Sequence, residues 1–190
     1  MWPWEITANE TGAAWATAYL TGVAIVASTI IAVMVPALDR RARRAEMALG
    51  AAAALLDAAR TVGWLVTVAT VVVESPPAEV DEVALPALDA ANAVLASIPV
   101  HDLPNPRAIE ILLGARRKLS FGRGILASQP LTAGKVQAMR GLRRQMFDDY
   151  ASMIAAAKLS GVETKAQAEA RLDAEDKDNA DIIADHFRRL

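Results

Sequence analysis

A stretch of 26 residues without one charged side chain, Ala13 to Leu38, constrains this chain more than any other feature. As an α-helix the run AAWATAYLTGVAIVASTIIAVMVPAL would extend about 39 Å, at about 1.5 Å per residue. The hydrocarbon core of a bilayer needs roughly 20 such residues, so the run is long enough to span one with some tilt. Trp2, Trp4, Trp15 and Tyr19 cluster near its start, where amphipathic rings suit a membrane interface. A cleaved signal peptide would need a basic leader and a short apolar core. Here Glu5 and Glu10 precede the run and no Lys or Arg does. An uncleaved transmembrane helix at 13–38 is therefore expected, after a short exterior tail at 1–12.

Arg40, Arg41, Arg43 and Arg44 follow at once, opposed by Asp39 alone. Basic residues beside a span stay on the cytoplasmic side. The expected topology places the N-terminus outside and the bulk of the chain in the cytoplasm, at a cell membrane. Abundant alanine, and arginine well in excess of lysine, suggest a GC-rich bacterial or phage gene, and a bacterial inner membrane is the expected location. The same arginines suit anionic lipid head groups, at about 1 kcal/mol per basic residue near the surface. Ala14, Ala18 and Gly22 repeat at four-residue spacing, which lets two spans approach closely. Self-association through helices is an expectation on that ground.

A second apolar stretch, Met47 to Val73, is interrupted by Asp57 and Arg60. Each would cost about 2.5–3.5 kcal/mol at a bilayer centre. Their spacing allows a helical ion pair, buried or within the membrane, that would lower this cost. The uninterrupted part, Thr61 to Val73, is too short to span. Segment 39–74 is therefore expected to combine the juxtamembrane basic cluster with a long apolar helix, buried in protein or lying at the membrane surface. A second span over 47–73 is the alternative.

Beyond residue 74 the pattern is helical throughout. The chain is 54% hydrophobic, much of it alanine, which favours helix over strand. Ser75-Pro76-Pro77 suits a helix start. Val80, Val83, Ala87, Ala91, Val94 and Ile98 then recur at helical spacing, with a kink expected at Pro86. Asn105-Pro106 reads as cap and first turn of a helix whose apolar side is Ile109, Leu112 and Leu113. Gly122, Gly124 and Pro130 predict that it ends or bends between Ser120 and Pro130. Met139, Leu142, Met146, Tyr150, Met153 and Ala157 form one stripe, closed by Gly161. The stripe is expected to line the inner face of its helix. A partner-binding face is the alternative, because methionine suits adaptable surfaces. Thr164 and Gln167 make a capping box for a polar last helix over 162–190, with Ile182, Ile183, Phe187 and Leu190 as its few apolar contacts. The expected class is all-α: an N-terminal transmembrane helix, then a small α-helical bundle or hairpin array over 75–161 and 162–190.

Charge is laid out in blocks. Residues 45–106 are acidic with Arg60 as the one base, and residues 107–144 are basic with Glu110 as the one acid. Packed helices and solvated faces that neutralise one another account for such blocks, and adhesion to anionic lipid is a second account. Nucleic acid is disfavoured, because no aromatics interleave with the basic residues. Phe121-Gly122-Arg123-Gly124 lacks the Lys-Ser/Thr of a phosphate loop and is expected to be a flexible turn.

Cysteine is absent, which excludes thiolate chemistry and Cys-based metal sites. His101 and His186 each adjoin an aspartate but fall in different elements, too few ligands for a metal. Asp148 and Asp149 are adjacent on a helix and point apart, so they make no acid–base pair. No cofactor and no catalytic constellation is expected. The function expected is a non-catalytic, membrane-anchored helical interaction or scaffold protein. A two-span protein acting on the bilayer, such as a small phage-type lysis accessory or membrane-lesion protein, is the alternative.

Overall fold

A computed structural model describes the backbone of residues 3–74, 80–127 and 132–188 and the side chains of residues 18–70, 84–127 and 132–182. The chain is all-α. Five helices follow in order: α1 (Pro3–Glu74), α2 (Val80–Ser97), α3 (Pro106–Ala127), α4 (Ala133–Ala157) and α5 (Lys165–Arg188), with a 3-10 turn at Val100–Asp102 before α3. Two compact units divide between Arg43 and Arg44. The first holds the part of α1 up to Arg43; the second holds the rest of α1 and all the other helices. The start at Ser75-Pro76-Pro77 lies outside the described residues.

In the second unit, α1 contributes one buried seam: Ala48, Ala51, Ala52, Leu55, Ala58, Ala59, Val62, Leu65 and Ala69. The three- and four-residue steps keep these positions on one face, the spacing by which helices pack along their length. Alanine at most of them lets a neighbouring helix come close. One face of the second apolar stretch thus packs into the core of the second unit.

The remaining helices are sequential neighbours, α2 on α3, α3 on α4 and α4 on α5. Side-chain partners show each pair to be antiparallel. Arg116 donates to the Leu95 and Ile98 carbonyls near the end of α2, whereas Arg123, later in α3, reaches back to Asp89. Lys165 at the start of α5 reaches Asp148 of α4, whereas Asp173 meets the earlier Arg143. Asn105 ties α3 to α4: its Oδ1 accepts from the Ala108 N–H at 2.9 Å, and its Nδ2 donates to the Ala156 carbonyl at 2.7 Å. One side chain so caps the start of α3 and satisfies a carbonyl left open at the end of α4.

Other helix ends match or depart from their local chemistry. Thr164 and Gln167 form the expected capping box: the Thr164 N–H donates to Gln167 Oε1 at 2.9 Å, and the Gln167 N–H reaches Thr164 Oγ1 at 3.4 Å. Lys158, rather than Gly161, closes α4, in the left-handed region at φ 53° with the Leu159 N–H bonded to the Ile154 carbonyl. Gly161, at φ 73°, shapes the connection beyond it.

Two expected faces shift. On α2 the buried residues are Ala84, Leu88, Ala91 and Leu95, while Val94 is exposed; Val80 and Val83 side chains lie outside the described residues. The helix is apolar over a wide arc, and the larger leucines, seven residues apart, take the core. On α3 the core face is Ala108, Ile111, Leu112, Ala115, Leu119, Gly122 and Leu126. α3 ends at Ala127, within the expected range, but the flexible turn expected at Phe121-Gly122-Arg123-Gly124 is corrected, since the helix runs through both glycines. A methyl at Gly122 would collide with Leu142 Cδ2 of α4, so this glycine permits the close approach of α3 and α4. Gly124 faces open space.

Two alanine substitutions two residues apart should therefore have opposite signs. Gly124→Ala should stabilise the bundle by about 0.5–1 kcal/mol, through helix propensity alone. Gly122→Ala gains the same propensity but displaces Leu142, and should be destabilising by about 1–3 kcal/mol net of that gain. Urea unfolding of each variant measures this, and equal effects at the two sites would contradict the packing described.

Candidate functional site

From Ala18 to Leu38 every side chain is exposed, and nearly all are apolar. Leu20 is 66% exposed, Ile31 61% and Val35 56%. Among the described residues α1 is the one helix long and apolar enough to cross a membrane, and none of its most apolar window is buried. The hydroxyls of Ser28 and Thr29 return to the Ile25 carbonyl at 2.9 and 2.8 Å, which satisfies them within the helix and leaves no donor needing water. Gly22 has nothing against its α-carbon, so the small-residue face there is open; the Ala14, Trp2, Trp4 and Trp15 side chains lie outside the described residues. Arg40, Arg41 and Arg43 close this unit, all exposed, with Arg43 paired to Asp39 at 2.9 Å one turn back. Arg44 opens the second unit and is exposed as well.

Asp57 and Arg60 are not brought together as an ion pair. Asp57 lies on the solvent side of α1, and Arg60 flanks the buried seam, where its Nη2 stands 3.0 Å from Glu175 Oε2 of α5. A helical spacing permits the local pair, but the packed neighbour supplies a carboxylate in its place. Glu175 also accepts from Arg171, whose other nitrogens bond Glu163. Those bonds hold the Arg171 guanidinium above its ordinary pKa.

Next to this chain of charges, Arg143 of α4 sits nearly buried between α1 and α5. Its Nη1 donates to Asp173 at 2.7 Å, its Nη2 lies 2.6 Å from Asp176 as an ionic contact, and its guanidinium stacks 5.5 Å from the Phe147 ring centre. A methyl on Gly63 of α1 would stand 2.6 Å from Asp176 Oδ2 and 2.7 Å from Arg143 Nε. Gly63 is thus the notch into which the pair fits. Burial pushes the Asp176 carboxyl above its ordinary pKa, against the pull of Arg143.

Met139, Leu142, Met146, Tyr150 and Met153 are all buried and belong to the core, with Val136 and Phe147 beside them. The inner-face expectation holds. Phe147 extends that face beyond the residues expected from spacing, and its place one position after Met146 follows from a stripe wider than one residue. The Tyr150 hydroxyl donates to the Glu163 carbonyl at 2.7 Å, and burial raises its pKa.

Part of the basic block is neutralised by acids, and Arg116 instead donates to the carbonyls at the end of α2. Lys118 meets Asp149, Arg123 meets Asp89, and Arg107 meets Glu110 within its own helix. Arg140 and Arg144 have no such partner among the described residues. His101 lies 3.5 Å from Asp102, both well exposed, and the His186 side chain is outside the described residues. Among the described residues no three His, Cys, Asp or Glu gather as a metal site. No known protein family, curated protein or solved structure matches the chain.

Asp149 gives a test of which force governs these inter-helix pairs. Burial raises its pKa from 3.8, more than Lys118 lowers it. A carboxyl raised in the folded state contributes stability that is fully present below its unfolded pKa and lost as pH rises through the folded value. Asp149→Asn removes that pH-dependent contribution. The melting temperature of the variant relative to the native chain should therefore rise between about pH 4 and pH 7. A relative melting temperature that falls over this range would mean that the Lys118 ion pair outweighs burial.

Proposed function

We propose that this chain is a non-catalytic, membrane-anchored helical scaffold, held by one transmembrane helix at 13–38, with its bundle in the cytoplasm beside a cell membrane. The observation that carries this is the exposed apolar surface of residues 18–38. A soluble protein rarely exposes so large and continuous an apolar area without a use for it. A bilayer is the solvent in which such a helix costs nothing, because its backbone groups are satisfied internally. Its hydroxyls return to the helix in the same way.

The second unit supports the scaffold part of the proposal. Its apolar residues form their own core, and several of its charges join helices to one another. That gives a folded body with no need of the bilayer. The two-span, bilayer-acting alternative rests on residues 47–73 as lipid-facing helix, and one face of this stretch, from Ala48 to Ala69, is taken up by protein packing instead. Arg40, Arg41, Arg43 and Arg44 favour retention of the following residues in the cytoplasm and suit anionic head groups there.

The full chain should partition with membranes and resist carbonate extraction. Deletion of residues 1–38 should release a soluble fragment with a helical spectrum and a cooperative melt. A reporter fused after Leu190 should behave as cytoplasmic. A full chain that stays in the soluble fraction defeats the anchor, and reporter activity on the outer side defeats the orientation while leaving the anchor intact.

A further inference from the structure

Arg140, Arg143 and Arg144 line one cavity of about 350 Å³ in the second unit. Its apolar lining is Phe147 of α4 and Val66 of α1, and two acids of α5, Glu169 and Asp173, complete it. Both acids are already engaged. Asp173 accepts from Arg143, and Glu169 lies 3.6 Å from Lys165 Nζ. Arg143 is fixed as well, between Asp173, Asp176 and the Phe147 ring. That leaves Arg140 and Arg144, exposed, one helical turn apart and without a carboxylate among the described residues. Like charges at this spacing repel one another. Elsewhere in the same basic block Arg107, Lys118 and Arg123 each have an acid partner, and Arg116 and Arg117 donate to backbone carbonyls, away from this cavity.

Two guanidinium groups with no carboxylate partner among the described residues, beside a third that is locked in place, line a recess with an apolar wall. A carboxylate would neutralise one of the two. A phosphate group carries close to two charges near neutral pH and presents three acceptor oxygens, which the guanidinium fork bonds in pairs. We infer that this cavity is a phosphate-binding site, in which Arg140 and Arg144 hold the anion and Arg143 is its fixed wall. The phosphate could belong to a soluble phosphorylated molecule or to a lipid head group. Val66 lies 22 residues after Arg44, a rise of about 33 Å along an α-helix, which favours the soluble source.

The test uses the full chain in nanodiscs of phosphatidylcholine, with inorganic phosphate as probe at constant ionic strength. Broadening of the phosphorus resonance and the melting temperature are read together. R140Q/R144Q keeps the aliphatic stems of two exposed residues, and R40Q/R41Q removes the same charge from the cluster after the apolar segment. Phosphate should broaden and raise the melting temperature in the native chain and in R40Q/R41Q, and R140Q/R144Q should bind it roughly ten-fold more weakly or worse. If free phosphate has no effect but discs containing phosphatidylglycerol stabilise the native chain and not R140Q/R144Q, the site stands and the head group is its source. No response to either probe, or a response that R140Q/R144Q keeps, overturns the site. A chain that proves soluble without discs is tested in buffer, so this outcome is independent of the anchor.

Discussion

Close approach of helix backbones is the constraint on which the second unit depends. With few aromatics, the core cannot be filled by bulky rings, and it is filled by bringing helices together. Alanine along the α1 seam and glycine at 122 set how near they come. A packed interior at this spacing leaves little room to adjust, so a single added methyl is felt. Gly63 applies the same device to a polar contact. Its missing side chain is the space that admits Arg143 and Asp176 between α1 and α5.

That polar contact explains how a chain with segregated charge folds without segregating. The acidic and basic blocks lie on different helices, and antiparallel neighbours bring them face to face. Asp89 with Arg123 is such a meeting, and Lys118 and Arg143 of the basic block meet Asp149 and Asp173, which lie beyond both blocks. Exposed pairs of this kind contribute little stability individually. Half-buried ones set register, because sliding a helix by one turn would strand a charge in a low-dielectric setting. Arg140 and Arg144 are among the bases that this matching leaves without a carboxylate among the described residues, and the cavity that they line is where the proposed anion would sit.

Much of this was legible in the sequence. The all-α class, the capping box at Thr164, the cap at Asn105 and the inner face through Met139, Met146 and Met153 follow from spacing and side-chain chemistry alone. The misplaced features share one cause. Gly122 and Gly124 look like a break because glycine weakens a helix in isolation; only the presence of Leu142 across the interface makes Gly122 necessary within one. Asp57 and Arg60 look like a pair because they are local, and the competing Glu175 is more than a hundred residues away. The face of α2 was offset because alanine and valine positions both satisfy a helical period. Long-range partners decided each case, and the local pattern carries no record of them.

The two apolar stretches of α1 show what hydropathy leaves out and residue size supplies. Residues 23–35 carry Val23, Ile25, Val26, Ile30, Ile31, Val33 and Val35, large side chains that point to all sides of the helix, and all are exposed. No single neighbour could cover that surface, because a packed helix has one face and not several. Residues 48–69 place alanine at most positions of one stripe, with Trp64 and Leu56 beside it only partly covered. A helix that must be approached closely by another gains contact along its whole length from small residues on one side. The same helix therefore changes its proposed solvent near Arg40 to Arg44, from lipid to protein, and the change is written in the shape of the apolar side chains more than in their number.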